Sequence, residues 1–167
     1  MAHMDIKLEN ILVNEEGVLK LCDFGMVKPL DADLTKREGT HMYMAPEVET
    51  KRFDETFKGL PADMFSMGVL LWILHFAQPP FHSASNEDRN FGILQRNPEG
   101  FWRNHPSVRK HGAPIDEDFK NLLTSMLSKD ISKRPQSVDA LMQHPYFTKE
   151  TDLINAQTNE WTDKDAI

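Results

Sequence analysis

The constraint that most narrows the fold is an eleven-residue run, Met64 to Leu74, whose apolar character is interrupted only by Ser66 and Gly68. A helix over this run has no polar face to give to water, so it needs neighbours on every side. The run falls short of the roughly 20 residues that cross a bilayer, and it therefore reads as a buried core helix. Pro61 suits the first turn of that helix, where a missing N–H costs little. The covering elements must come from the rest of the chain. Asn86 to Gln95 is one helical candidate, ending near Pro98 and Gly100. Asp116 can cap a stronger one, whose Phe119, Leu122, Leu123, Met126 and Leu127 form a single stripe. Ser137 can cap a last helix through Met142, stopped at His144-Pro145, while Phe101, Trp102, Tyr146 and Phe147 anchor connections by packing.

The N-terminal part follows another pattern. Ile11 to Val13 and Val18 to Leu21 flank Asn14-Glu15-Glu16-Gly17, which reads as a short hairpin. The fold class is mainly α, with this β-hairpin near the N-terminus. Residues 26 to 45 carry Pro29, Gly39 and no sustained period, so they read as a long functional loop. A chain of 167 residues suffices for one domain with a sizeable core. Its formal charge of -7 does not invite a nucleic-acid backbone, and no membrane partner is expected. The single cysteine, Cys22, cannot close an intrachain disulfide, which favours a reducing, intracellular and cytoplasmic setting. Its apolar neighbours make it read as a buried thiol. No secretory leader is visible. Residues 1–4 read as an expression scar, so that His3 and Met4 would report on cloning rather than chemistry. Residues 149–167 read as a polar extension, partly disordered from Thr151, with Trp161 its only large aromatic.

The chemistry lies in two short motifs. Asp5-Ile6-Lys7-Leu8-Glu9-Asn10 is followed, thirteen positions after Asn10, by Asp23-Phe24-Gly25. Two carboxylates and an amide at this spacing can hold metal-bound phosphates beside a hydroxyl acceptor. The hairpin sets Asn10 at its entry and Asp23 at its exit, which brings them close in space. His41, His75 and His82 form no ligand cluster of their own.

These motifs resemble the C-terminal lobe of a eukaryotic serine/threonine protein kinase. The match continues through Gly39-Thr40-His41-Met42-Tyr43-Met44-Ala45-Pro46-Glu47, Asp63 to Gly68, Pro79-Pro80-Phe81, Arg134-Pro135 and His144 to Phe147, covering residues 5–148. The resemblance implies transfer of the ATP γ-phosphate to a protein Ser or Thr hydroxyl. Asp5 would orient the hydroxyl and accept its proton, and Lys7 would offset charge on the phosphoryl group. Asn10 and Asp23 would ligate Mg²⁺ through oxygen. Thr40, paired with Lys7, would support the acceptor site and favour Ser/Thr over Tyr, and Tyr43 and Met44 would line the pocket for the following residue. Phe24 would pack under the metal-binding turn, Gly25 would permit its backbone, Asp63 would hold the catalytic loop, and Glu47 with Arg134 would form a buried ion pair. Similarity around Thr40 to Val48 and Asp130 to Phe147 points to the calcium/calmodulin-dependent branch.

Three departures qualify the resemblance. The arginine that usually precedes the catalytic aspartate is Met4, and Thr35, the candidate phosphosite with Lys28, Lys36 and Arg37 as basic partners, falls one place off the usual position. No Gly-rich loop, strand lysine or partner glutamate helix precedes Asp5. The isolated chain is therefore expected to be inactive. Met64, Met67 and Leu71 would risk exposure, favouring a homodimer or a rearranged hairpin. A noncatalytic pseudokinase or scaffold lobe, acting through protein association, stands as the alternative.

Overall fold

The computed structural model describes residues 1–149; the C-terminal extension from residue 150 on, with Trp161, lies outside the described residues. A two-stranded antiparallel sheet, β1 (Ile11–Val13) with β2 (Leu19–Leu21), precedes seven helices among the described residues. These are α1 (Pro46–Glu49), α2 (Gly59–Phe76), α3 (Arg89–Arg96), α4 (Pro98–Asn104), α5 (Pro106–His111), α6 (Glu117–Met126) and α7 (Val138–Met142). The register pairs Ile11 with Leu21 and Val13 with Leu19, so the turn falls where the Asn14–Gly17 segment places it.

Helix α2 runs 18 residues, longer than the apolar run alone indicates. By length and hydropathy it could span a membrane, but half of it is buried inside the protein. Trp72 is wholly buried, and its ring lies 4.4 Å from Phe76, 5.3 Å from Phe101 and 5.1 Å from Trp102. Phe65 meets Phe81, in the connection after α2, and Phe91 of α3, with centroids 5.9 and 6.3 Å away. Such offset and edge-on contacts add to burial itself. A second cluster joins Met64 to Leu122, Met126 and Leu141. Gly68 permits this approach of α6, since a Cβ there would stand 2.9 Å from the Met126 Cβ.

This packing corrects the expected exposure of α2 at Met64 and narrows it at Met67 and Leu71. Met64 is buried, and Met67 and Leu71 are half-buried. Exposed apolar surface lies at Leu74 of α2 and on the hairpin, where Leu12, Val13 and Leu19 are, like Leu74, each more than half exposed.

The caps of α6 and α7 are those the sequence indicates: Asp116 accepts from Phe119 N–H and Ser137 from Ala140 N–H, each at 3.0 Å. Helix α3 starts at Arg89, with Asp88 accepting from Phe91 N–H. Helices α4 and α5 occupy a stretch read as connections. Each opens with proline, after Asn97 and His105 respectively, and each of those side chains caps its helix.

His105 makes α5 sensitive to acid. Its Nδ1 accepts from Ser107 N–H at 3.2 Å, so the ring proton sits on Nε2 and is donated to the Pro80 carbonyl at 3.0 Å. Burial holds the imidazole below its ordinary value, against the opposing pull of the Pro80 carbonyl and the Asp88 charge. As pH falls through the ordinary histidine value of about 6.5, the unfolded chain takes up this proton first. Stability is thus fully present above that value and declines below it. Thermal melts from pH 7.5 down to about 5.5 are expected to show the decline, and His105→Asn, which keeps a capping side chain without a titrating ring, should flatten it. An unchanged slope in that variant would remove His105 as the cause.

Candidate active site

The catalytic-loop candidates converge on one carboxylate. Asp5 is buried, and its Oδ1 accepts from the Thr40 N–H at 2.9 Å and the Thr40 hydroxyl at 2.8 Å. Its Oδ2 accepts from Lys7 Nζ at 2.6 Å, and the same ammonium donates to Thr40 Oγ1 at 2.9 Å. Asp5, Lys7 and Thr40 thus form a closed triangle across 35 residues of chain. Burial opposes ionisation of Asp5, but the hydrogen bonds from Lys7 and Thr40 and the Lys7 charge outweigh it, holding the carboxyl below its usual range. The hydrogen bond to Asp5 raises Lys7 above its ordinary value. Both groups are therefore charged near neutrality.

Gly39 allows this closure. Its φ of 108° suits glycine, and a Cβ would stand 2.7 Å from the Met4 carbonyl oxygen. Tyr43 is buried and Met44 half-buried in the turn that follows. The Tyr43 carbonyl accepts from Ser66 Oγ at 2.8 Å, which ties this turn to α2. Both line a cavity of only about 10 Å³, beside Thr40.

Asn10 and Asp23 are joined through the hairpin base, where Cys22 N–H donates to the Asn10 carbonyl at 2.9 Å. Asn10 Nδ2 donates to the Asp5 carbonyl at 2.9 Å, which leaves the amide oxygen free to face a cation. Asp23 is exposed, and one of its oxygens accepts from Gly25 N–H at 3.3 Å. An amide oxygen and a carboxylate oxygen suit Mg²⁺, which completes its shell with phosphate and water. No cluster of three His, Cys, Asp or Glu ligands occurs among the described residues. A divalent ion here would depend on phosphate oxygens for the rest of its ligands.

In the turn that holds Gly25, Asp23 takes the left-handed conformation, with φ 61°. The structure corrects two readings at this site. Phe24 is 64% exposed and touches the His3 ring edge-on at 5.4 Å rather than lying beneath the turn, because nothing among the described residues covers its outer face. Cys22 is half-buried rather than enclosed.

Residues 1–4 are also not peripheral. Ala2, His3 and Met4 are buried, and Ala2 pairs with Lys28 across a β-bridge. Asp63, near the start of α2, accepts from His3 N–H at 2.5 Å and from Met4 N–H at 2.9 Å, while Met4 holds φ 70°. Burial pushes the Asp63 carboxyl up, more than these two donors draw it down. His3 Nδ1 accepts from Asp5 N–H at 3.3 Å, and Nε2 donates to the Cys22 carbonyl at 3.0 Å. His3 thus links the loop of Asp5 to the strand end before Asp23. Its place two residues before Asp5 was the available signal.

Glu47 and Arg134 form a bidentate pair, with Nη1–Oε1 at 2.6 Å and Nη2–Oε2 at 2.8 Å. The guanidinium also donates to the carbonyls of Pro61 and Ser128 and lies 5.1 Å from the Phe65 ring centroid. It fastens the segment after Tyr43 to α2. Thr35 is exposed, but two of its proposed basic partners are engaged by acids: Lys28 with Glu38 at 3.0 Å and Arg37 with Glu49 at 2.6 Å.

The model of the protein kinase domain family matches residues 1–147. The chain belongs to the protein kinase family. The match includes Ala2 to Met4, in keeping with their place in the core. Among similar proteins, a probable serine/threonine-protein kinase CCRP1 of Zea mays is 35% identical over 148 residues, covering 87% of this chain and 22% of that protein. Serine/threonine-protein kinase 36 of Mus musculus is 34% identical over 156 residues, 91% of this chain and 11% of that protein. The calcium/calmodulin-dependent protein kinase kinase cmkC of Emericella nidulans is 33% identical over 153 residues, 89% and 27% of the respective chains. This kinase chain thus spans about a quarter or less of the length of these relatives.

Proposed function

We propose that this chain is the C-terminal lobe of a serine/threonine protein kinase that transfers the γ-phosphate of ATP to a protein hydroxyl. The observation that carries the reading is the Asp5 carboxylate, held ionised by Lys7 and Thr40. Asp5 would take the acceptor proton, Lys7 would stabilise negative charge on the phosphoryl oxygens, and Thr40 would position both. Asn10 and Asp23 would hold Mg²⁺, which would offset negative charge on the phosphate. Tyr43 and Met44 would contact the substrate beside its acceptor residue.

The same reading assigns the apolar face of the hairpin, with Val13, Leu19 and Leu21, to contact with an upper lobe, and self-association of the isolated chain is its alternative. Asp23 and Phe24 are open to solvent, and no Gly-rich phosphate-binding loop occurs in the sequence, so the 167-residue chain alone would not enclose ATP. A position near the calcium/calmodulin-dependent branch is supported by the cmkC relative, although relatives with other names match as well. The lone cysteine favours an intracellular setting.

Labelled ATP with Mg²⁺ and a generic Ser/Thr protein substrate tests the proposal. The full-length protein is expected to transfer phosphate to Ser or Thr, and the 167-residue chain to show negligible transfer. No transfer by the full-length protein would favour the noncatalytic scaffold reading. Transfer by the short chain would refute its inactivity.

A further inference from the structure

Away from Asp5, two depressions adjoin along α6. One, of about 770 Å³, lies between α4, the segment after α5 and α6; the other, of about 570 Å³, runs on toward Lys133. They share Pro98, Asn121 and Thr124, so together they form one groove. Its walls are fixed by hydrogen bonds. Trp102 Nε1 donates to Thr124 Oγ1 at 2.9 Å, and Gln95 bonds the Leu127 carbonyl and the Lys129 N–H at 2.9 and 2.7 Å. Half-buried Val108, with the remaining exposed edges of the largely buried Trp102 and Ile115, forms the apolar floor at one end.

The charges in the groove run against those of the chain. The protein carries -7 overall, yet Arg103 and Arg109 line the groove, exposed and without an acidic partner among the described residues, and Lys133, also exposed, acts on Asp130 through its charge without a close ion pair. Of the acids lining it, Glu117 is held by Lys120 at 2.6 Å, and Asp130 accepts from the Ser132 N–H and hydroxyl. Glu99 alone offers an unengaged carboxylate there. A preformed concave surface with apolar footing and unpaired cations fits an extended acidic chain better than a flat lipid surface.

We propose that this groove docks an acidic, extended peptide segment of a partner protein, with an apolar side chain seated against Trp102, Val108 and Ile115 and carboxylates meeting Arg103, Arg109 and Lys133. The site is separate from Asp5 and does not depend on phosphotransfer.

A fluorescein-labelled dodecapeptide of Glu and Asp around a central Leu-Phe pair, titrated into the 167-residue chain, tests this by anisotropy. Saturable binding that weakens with added salt is expected. The triple variant R103E/R109E/K133E should lower affinity at least about tenfold. N121W, which obstructs the junction of the two depressions from an exposed helical position, should do the same without changing charge. A peptide with Ser in place of Leu-Phe should bind more weakly, and one with Lys in place of the acids not at all. Thermal melts check that the variants are folded. The proposal is overturned by no binding of the acidic peptide, by equal binding of both variants, or by equal binding of the Lys peptide. It is also overturned if N121W abolishes a concentration-dependent dimer, or if anionic vesicles bind where the peptide does not.

Discussion

Asp5→Asn in the full-length protein is expected to lower kcat for Ser/Thr phosphorylation by roughly 10²- to 10⁴-fold, with little change in the KM for ATP. The substitution keeps the shape of the side chain, and its carbonyl can still accept from the Thr40 N–H. What it loses is the anion. Asp5 Oδ2 now accepts from both Lys7 and Asn10, and an amide NH₂ in that place would face two donors. Lys7 would lose the partner that raises its pKa. Proton acceptance and the positioning of Lys7 fail together, so the loss belongs to the transition state and appears in kcat. Steady-state kinetics on the purified variant decide the matter, and a kcat within about threefold of wild type would remove Asp5 as the base.

The second large effect concerns stability. Arg134→Ala should cost about 3–5 kcal/mol, because truncating one partner of a buried ion pair strands the other. The Arg134 side chain has no exposure, and its guanidinium satisfies both Glu47 oxygens and the carbonyls of Pro61 and Ser128. Alanine would leave a largely buried carboxylate and two carbonyls without these donors, and would open space beside Phe65. Replacing both members with apolar residues, as in E47L/R134M, should cost less than Arg134→Ala, since no lone charge remains. Urea unfolding of the 167-residue chain gives the comparison. A loss for Arg134→Ala below about 1 kcal/mol would mean that the pair behaves like a surface contact.

The sequence displayed those parts of the fold whose stability is written locally. The apolar run of α2, the stripe and Asp116 cap of α6, the Ser137 cap of α7 and the hairpin turn each carry their own pattern. Helices α4 and α5 do not. With 7 and 6 residues they are too short to show a period, and burial of Phe101 and Trp102 against Trp72 sustains them more than propensity does. Their signal was Asn97-Pro98 and His105-Pro106, a capping residue before proline at the first helical position. At the site, the hairpin between Asn10 and Asp23 indicated that these two would lie close, and the family resemblance implied that Lys7 and Thr40 would meet beside Asp5. The parts of His3 and Met4 were hidden because their partner, Asp63, lies about 60 residues away. Phe24 was misread because its environment depends on what covers the hairpin, which its neighbours in sequence do not state.

The Asp63 contact also bears on how this chain can drift in descent. Its carboxylate holds the backbone amides of His3 and Met4 and takes nothing from their side chains. Lineages could therefore exchange the residue at position 4 without losing the geometry that presents Asp5, provided the newcomer fits against Gly59, whose added Cβ would meet Met4 Sδ at 3.1 Å. Position 63 has no such latitude. Position 63 preserves the frame through backbone amides, while position 4, buried and at φ 70°, takes only side chains that fit its place in the core.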